Sequence, residues 1–282
     1  MRWRGGRRSG NISDRRGVGP VAGGLGVGGV VLALIGYFVF GIDPTTTLSV
    51  VNGAGAPAAA SSGVRGAPDD EAGQFVDVIE TSTADVWTEV FAQAGQTYEP
   101  PAAVVLYEQS TNTRCGTGQA AMGPFYCPAD RMVYLDLSFW GDLENRFGAE
   151  GEAARAYVIA HEIAHHVQNL TGQMDKAQRL GSQGAESGAV RLELQADCYA
   201  GVWAARAERA SGGTVVLGPD DIAQGLAAAS AIGDDTLQKQ SQGRVVPDAF
   251  THGSSAQRMA WFRTGAETGD PNACDTFSAA RL

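Results

Sequence analysis

The sequence predicts a helix-rich α+β domain with a small sheet, preceded by one transmembrane helix. Three patterns carry this reading. An uncharged apolar stretch stands near the N-terminus, one later run alternates apolar and polar residues, and long segments place apolar residues every three or four positions. The 282 residues accordingly divide into a basic cytoplasmic tail (1–17), an anchor (18–41), a flexible linker (42–68) and one folded domain (69–282).

Residues 1–16 carry Arg2, Arg4, Arg7, Arg8, Arg15 and Arg16 against Asp14 alone, a local charge of +5 in a chain whose total is −10. The remainder is therefore strongly acidic, which argues against nucleic acid as a partner, because phosphate binding needs clustered Lys and Arg. From Val18 to Phe40 there is no charge. At about 1.5 Å per residue that stretch spans a hydrocarbon core of roughly 30 Å. Arginines on its N-terminal side are expected to stay inside. The expectation is a single-pass cell-membrane protein, N-terminus cytoplasmic and domain extracytoplasmic. A cleaved signal is the alternative. Arg15-Arg16 and Ala54-Gly55-Ala56 suit it, but the apolar stretch exceeds the roughly 7–15 residues of a signal core. Residues 43–68 are dominated by Ala, Gly, Ser, Thr and Pro and read as a linker.

The body opens with acidic residues followed by Phe75, Val78, Ile79, Val86 and Val90 at helical spacing, which predicts a helix from Asp69 to Ala94. Ala102–Tyr107 is a short apolar strand. Arg131–Trp140 alternates, with Val133, Leu135, Leu137 and Phe139 on one face and Tyr134, Asp136 and Ser138 on the other, and reads as a half-buried strand. Helices follow at Glu150–Leu170, Glu186–Ala210, Asp220–Ile232 and Ser254–Thr268. Cys115, Cys127, Cys198 and Cys274 suggest two disulfides in an oxidising compartment, Cys115 with Cys127 and Cys198 with Cys274. A site of four thiolates competes, but no CxxC spacing supports it.

The sharpest signal is His161-Glu162-Ile163-Ala164-His165, which fits H-E-x-x-H inside a predicted helix. Histidines at i and i+4 share a face and can reach one zinc ion, Zn2+. Glu162, one residue round, is placed as general base toward an attacking water and then as proton donor to the leaving amine. Placing three ionisable groups in the middle of a helix as apolar as Tyr157, Val158, Ile159, Ile163 and Val167 is costly without a partner or metal. A third ligand is needed. Gln168 and Thr171 stand where H-E-x-x-H-x-x-G-x-x-H would have Gly and His, so the third ligand comes from elsewhere. Glu193 and Asp197, at i and i+4 in the next long helix, offer it. Glu193 as ligand with Asp197 orienting an imidazole is one assignment, the exchange of these roles is a second, and a solvated face carrying both is a third, which Leu192, Leu194, Ala196 and Tyr199 around them disfavour. His166 points about 100° away from His165 and reads as a packing residue.

At these residues the chain resembles the gluzincin class of zinc peptidases. It is similar more closely to the bacterial neutral zinc metallopeptidase family of single-pass membrane proteins. The resemblance rests on Gly123–Pro128, Val133–Phe139, Tyr157–Gln168, Glu193–Asp197 and Thr251–Ser255. It implies a zincin-like fold and a peptidase that hydrolyses peptide bonds. The segment Thr251–Arg258 resembles the H-P-S-x-x-x-R segment of some membrane gluzincins, with Gly253 in place of proline. That likeness suggests His252 or Arg258 as donor to the oxyanion, and the plainer reading is a helix cap at Ser254 or Ser255. In gluzincins an extended peptide lies along the strand before the zinc helix, which would make Arg131–Trp140 the edge that binds extended or unfolded polypeptide, and an ordinary core strand is the other reading. A zinc-stabilised extracytoplasmic scaffold and a zinc amidase acting on cell wall are the alternative functions.

Overall fold

A five-stranded mixed sheet lies against eight helices in the computed structural model, which describes residues 1–17, 63–119 and 123–282. The strands of the sheet are β1 (Ile12–Asp14), β2 (Val64–Arg65), β3 (Ala103–Tyr107), β6 (Phe125–Cys127) and β7 (Met132–Asp136), in the order β2-β1-β3-β7-β6. β3 pairs in parallel with both β1 and β7, and β2 and β6 run antiparallel to their neighbours. A separate hairpin joins β4 (Ser110–Thr113) to β5 (Gly116–Gln119). The helices are α1 (Glu71–Gln93), α2 (Phe139–Asn145), α3 (Glu152–Leu170), α4 (Gln173–Arg179), α5 (Gly188–Ala210), α6 (Pro219–Ala231), α7 (Asp234–Gln242) and α8 (Ser255–Thr268). The expected mixture of helices and a small sheet is present.

The N-terminal segment departs from the expected separate tail. Ile12 is fully buried and pairs with Val104, and Trp3 packs edge-on to Phe75 of α1 at 5.1 Å. Val64 and Arg65, inside the expected linker, extend the same sheet by pairing with β1. The predicted span, 18–41, lies outside the described residues. Among those described, no helix is long and apolar enough to cross a membrane.

β7 is shorter than the alternating run, and it is buried on both faces. Asp136 ends it by accepting the backbone N–H of Ser138 on Oδ1 and that of Gln109 on Oδ2, so that Phe139 already starts α2. Val133 and Leu135 face the main core, while Tyr134 packs with Val105, Tyr107 and Cys127 on the opposite face. β7 is also paired on both edges, so the predicted peptide-binding edge is an interior strand. Among the described residues, the outer edge at that end of the sheet belongs to β6.

α3 runs through the centre, with nearly every residue from Ala153 to Gln168 buried. It packs against α1, α5, α6 and the β6–β7 end of the sheet. α5 is capped by Ser187, which accepts the Val190 N–H, and α8 by Ser254 in a reciprocal box with Gln257. The disulfides join Cys115 to Cys127 and Cys198 to Cys274, tying the β4–β5 hairpin to β6 and α5 to the C-terminal turn.

Candidate metal centre

Histidines one turn apart on α3 turn their rings to the same side, with centroids 4.8 Å apart. Glu193 of α5 meets them. Its Oε2 lies 3.2 Å from His161 Nε2 and its Oε1 3.5 Å from His165 Nε2. One donor atom from each of His161, His165 and Glu193 lies within 4.8 Å of the others. Asp197, one turn further along α5, stands behind this group, with Oδ1 2.8 Å from His161 Nδ1. That approach is too bent for a good hydrogen bond, and His161 Nδ1 has no other partner.

The surrounding groups hold these side chains in place. Asp197 accepts the Tyr157 hydroxyl at 2.5 Å and is gripped by Arg258 of α8 through Nε and Nη2. His165 Nδ1 donates to Gln168 Oε1 at 2.8 Å, and the Gln168 amide donates to the Leu192 carbonyl and to Gln195 Oε1. Gln195 in turn donates to the Cys274 carbonyl, beside the second disulfide. Each imidazole of the pair therefore has a fixed neighbour at its far nitrogen, an arrangement that orients metal-binding histidines.

Electrostatics favour a cation at this point. Glu162, Glu193 and Asp197 surround two imidazoles, and Arg258 supplies one compensating charge. Burial alone would push His161 down, but Asp197 and Glu193 outweigh it and hold its pKa at about 10. Burial also opposes ionisation of Glu193, yet His165 and His161 keep it well below the usual carboxylate range. Asp197 is lowered likewise, with Arg258 outweighing burial. Glu162 is raised by burial, which the two histidines only partly offset. A buried site this short of positive charge draws protons onto its histidines or takes a divalent cation. Two imidazole nitrogens and a carboxylate are a ligand set of catalytic zinc, and the residues fit that ion.

The site opens into a cleft of about 580 Å³ whose walls include Phe125, Tyr126, Phe139, Phe147, Met174 and Leu192. Glu162 and His252 line the same cleft. Asp234, the first residue of α7, accepts the backbone N–H groups of Thr251, His252 and Gly253 on Oδ2, and its Oδ1 lies 3.2 Å from His252 Nδ1. Thr251 Oγ1 is 2.8 Å from that same nitrogen, so His252 Nε2 is the atom left for the cleft. Burial would lower the His252 pKa, but Asp234 outweighs it and raises it.

The predicted residues His161, Glu162, His165, Glu193 and His252 thus come together at one cleft, with Asp197 directly behind. Arg258 finds a different partner from the expected oxyanion. Its Nε and both terminal nitrogens are engaged by Asp197, Tyr157 and the Ile232 carbonyl, and it is 2% exposed. His166 faces the other way, donating from Nε2 to the Glu99 carbonyl and accepting from the Tyr126 hydroxyl. Sequence reasoning missed Tyr157, Gln168 and Asp234. The first two had a signal: Tyr157 stands four residues before His161 and Gln168 three after His165, on the face that carries the ligands. Asp234 had none, since it meets His252 only through the tertiary fold.

The chain is 45% identical over 295 aligned positions to "Uncharacterized protein YpfJ" of Escherichia coli (strain K12), covering 98% of this chain and 99% of that one. It is 51% identical over 184 positions to "Uncharacterized protein Rv2575" of Mycobacterium tuberculosis (strain ATCC 25618 / H37Rv), covering 63% of this chain and 62% of that one. No solved structure matches it significantly. The family model described as "Putative neutral zinc metallopeptidase" matches residues 1–277, nearly the whole chain, and the chain belongs to that family.

Proposed function

We propose that the chain is a zinc-dependent peptidase that cleaves extended or unfolded polypeptide. The observation that carries this reading is Glu162, a carboxylate that lines the cleft beside the three-residue cluster without belonging to it. A purely structural zinc site has no use for such a group. His161, His165 and Glu193 would hold the ion. Zinc bound there would supply Lewis acidity toward a water and a substrate carbonyl. Glu162 takes the proton of the attacking water and delivers it to the leaving amine. His252, oriented by Asp234, donates from Nε2 to the oxygen that becomes negative as the carbonyl is attacked. Tyr157, Arg258 and Asp197 keep His161 aimed, and Gln168 does the same for His165.

The substrate lies along β6 in this proposal, in place of the interior β7. Edge strands bind extended peptides through backbone hydrogen bonds, and Phe125 and Tyr126 of β6 line the cleft. The aromatic wall favours an apolar side chain next to the scissile bond. A scaffold without turnover and an amidase on cell wall are the outcomes against which this is tested.

The deciding experiment uses the full-length protein and Glu162→Gln, with zinc content and casein cleavage as readouts. Both proteins should bind about one zinc, as a single three-ligand site requires, and only the native one should cleave. Equal zinc with cleavage by neither removes the peptidase reading. Cleavage by both removes Glu162 from the chemistry.

A further inference from the structure

The arginine-rich N-terminus was the sequence's topology signal, and its charges have a use inside the fold. Arg4 pairs with Glu71 and Glu152, Arg7 with Asp85, and Arg16 with Asp14 and Asp70. Arg15 is buried and donates to Thr111 Oγ1 and the Asn112 carbonyl. Apart from Asp14, these partners belong to the body, so the basic tail complements the acidic surface on which it sits.

The body is also incomplete without this segment. Asp77 and Glu80 of α1 are 0% and 1% exposed. Asp77 Oδ1 accepts the backbone N–H of Ser9 and of Gly10, and Glu80 accepts the Ser9 hydroxyl and the Asn11 amide. Removal of residues 9–11 would strip two interior carboxylates of these donors, a costly state for buried charge. Loss of Ile12–Asp14 as well would leave Val104–Leu106, now fully buried, as an open sheet edge. The chain returns beside its point of departure. Val64 pairs with Asp14, and a Cβ on Gly63 would stand 2.5 Å from the Asp14 carbonyl oxygen.

We infer that residues 1–17 and 63–282 fold as one body and lie on the same side of any membrane the chain meets. A strand at residues 12–14 cannot pair with one at 104–106 across a bilayer. Residues 17 and 63, which flank the stretch 18–62, then share one side, whereas the single crossing that the arginines suggested would put them on opposite sides. This holds whether or not the metal centre turns over a substrate.

Two measurements on the full-length protein test it. In hydrogen exchange, the amides of Ile12–Asp14 should be protected like those of Val104–Leu106. Exchange at unfolded-chain rates in the tail would overturn the inference. For sidedness, cells expressing Arg8→Cys or Leu180→Cys are treated with a membrane-impermeant maleimide, intact and after permeabilisation. Arg8 is exposed, Leu180 is 51% exposed, and the four native cysteines are in disulfides. The two variants should behave alike in intact cells, both labelled or both protected, and both should label after permeabilisation. Labelling of one and protection of the other in intact cells would place tail and body on opposite sides and sink the proposal.

Discussion

The Arg258 guanidinium grips both oxygens of Asp197, with Nε 2.8 Å from Oδ2 and Nη2 2.9 Å from Oδ1. Through that carboxylate α8 braces the far nitrogen of His161, although Arg258 stands 97 positions after it in the chain. Arg258→Met would leave Asp197 uncompensated in the interior. The expected cost is about 3–5 kcal/mol of folding stability, together with zinc affinity weakened roughly 10–100-fold. Urea unfolding and chelator competition measure the two. Loss of turnover with stability and zinc affinity both intact would instead make the guanidinium a donor to substrate.

Asp234 gathers three successive backbone N–H groups on one oxygen and faces His252 Nδ1 with the other. His252→Gln should lower kcat by about 10²–10³ with zinc content unchanged. Asp234→Asn should cause a smaller loss and change the pH profile. Asp234 raises the His252 pKa, so a donor that must be protonated loses activity as pH rises through that value. Without the carboxylate the alkaline fall of kcat should move to lower pH. An unmoved alkaline limb would exclude His252 as the titrating group.

Much of this architecture is written locally. α3, α5 and α8 begin and end within two residues of the predicted positions, because apolar periodicity and the caps Ser187 and Ser254 are short-range properties. The two histidines were legible for the same reason, since His161 and His165 share one helical turn, and the need for a third ligand led to Glu193 or Asp197, of which Glu193 is the one that meets both rings. β1 was not legible. Its three residues, Ile-Ser-Asp, show no usable alternation, and their charged surroundings suggested a solvated tail. The strand exists only because Val104–Leu106 lies beside it in space. That β7 is interior and β6 the edge is likewise a fact of strand order, which alternation within one strand does not encode.

Close approach of α5 to α8 depends on two glycines. A Cβ at Gly265 would stand 1.9 Å from the Cys198 carbonyl oxygen, and one at Gly201 would stand 2.2 Å from that of Phe262. Both obstacles are backbone, so a side chain could enter only by pushing the helices apart and with them Arg258 from Asp197. Gly265→Ala should therefore destabilise the fold by about 1–3 kcal/mol, although alanine is the better helix former. Thermal unfolding measures it. A stabilised variant would show that the helix pair can open at little cost.

The N-terminal segment and α1 meet at Asp70, whose charge both of them use. Asp70 caps α1 by accepting the Gly73 N–H at 3.0 Å and also pairs with Arg16. Arg16 outweighs burial, and with help from the Gly73 N–H it lowers the Asp70 pKa from 3.8 to about 2. Between those values the unfolded chain binds a proton that the folded chain refuses. The contribution of Asp70 is therefore complete above pH 3.8 and is lost as pH falls through about 2. Its side chain is about half exposed, so solvent keeps the ion pair weak. Asp70→Ala should cost about 1 kcal/mol at neutral pH, the ordinary value of a lost cap. Urea unfolding of both proteins at pH 7 and near pH 2 should show that gap closing in acid. A gap that persists undiminished would mean that cap geometry, and not the charge shared with Arg16, holds the start of α1.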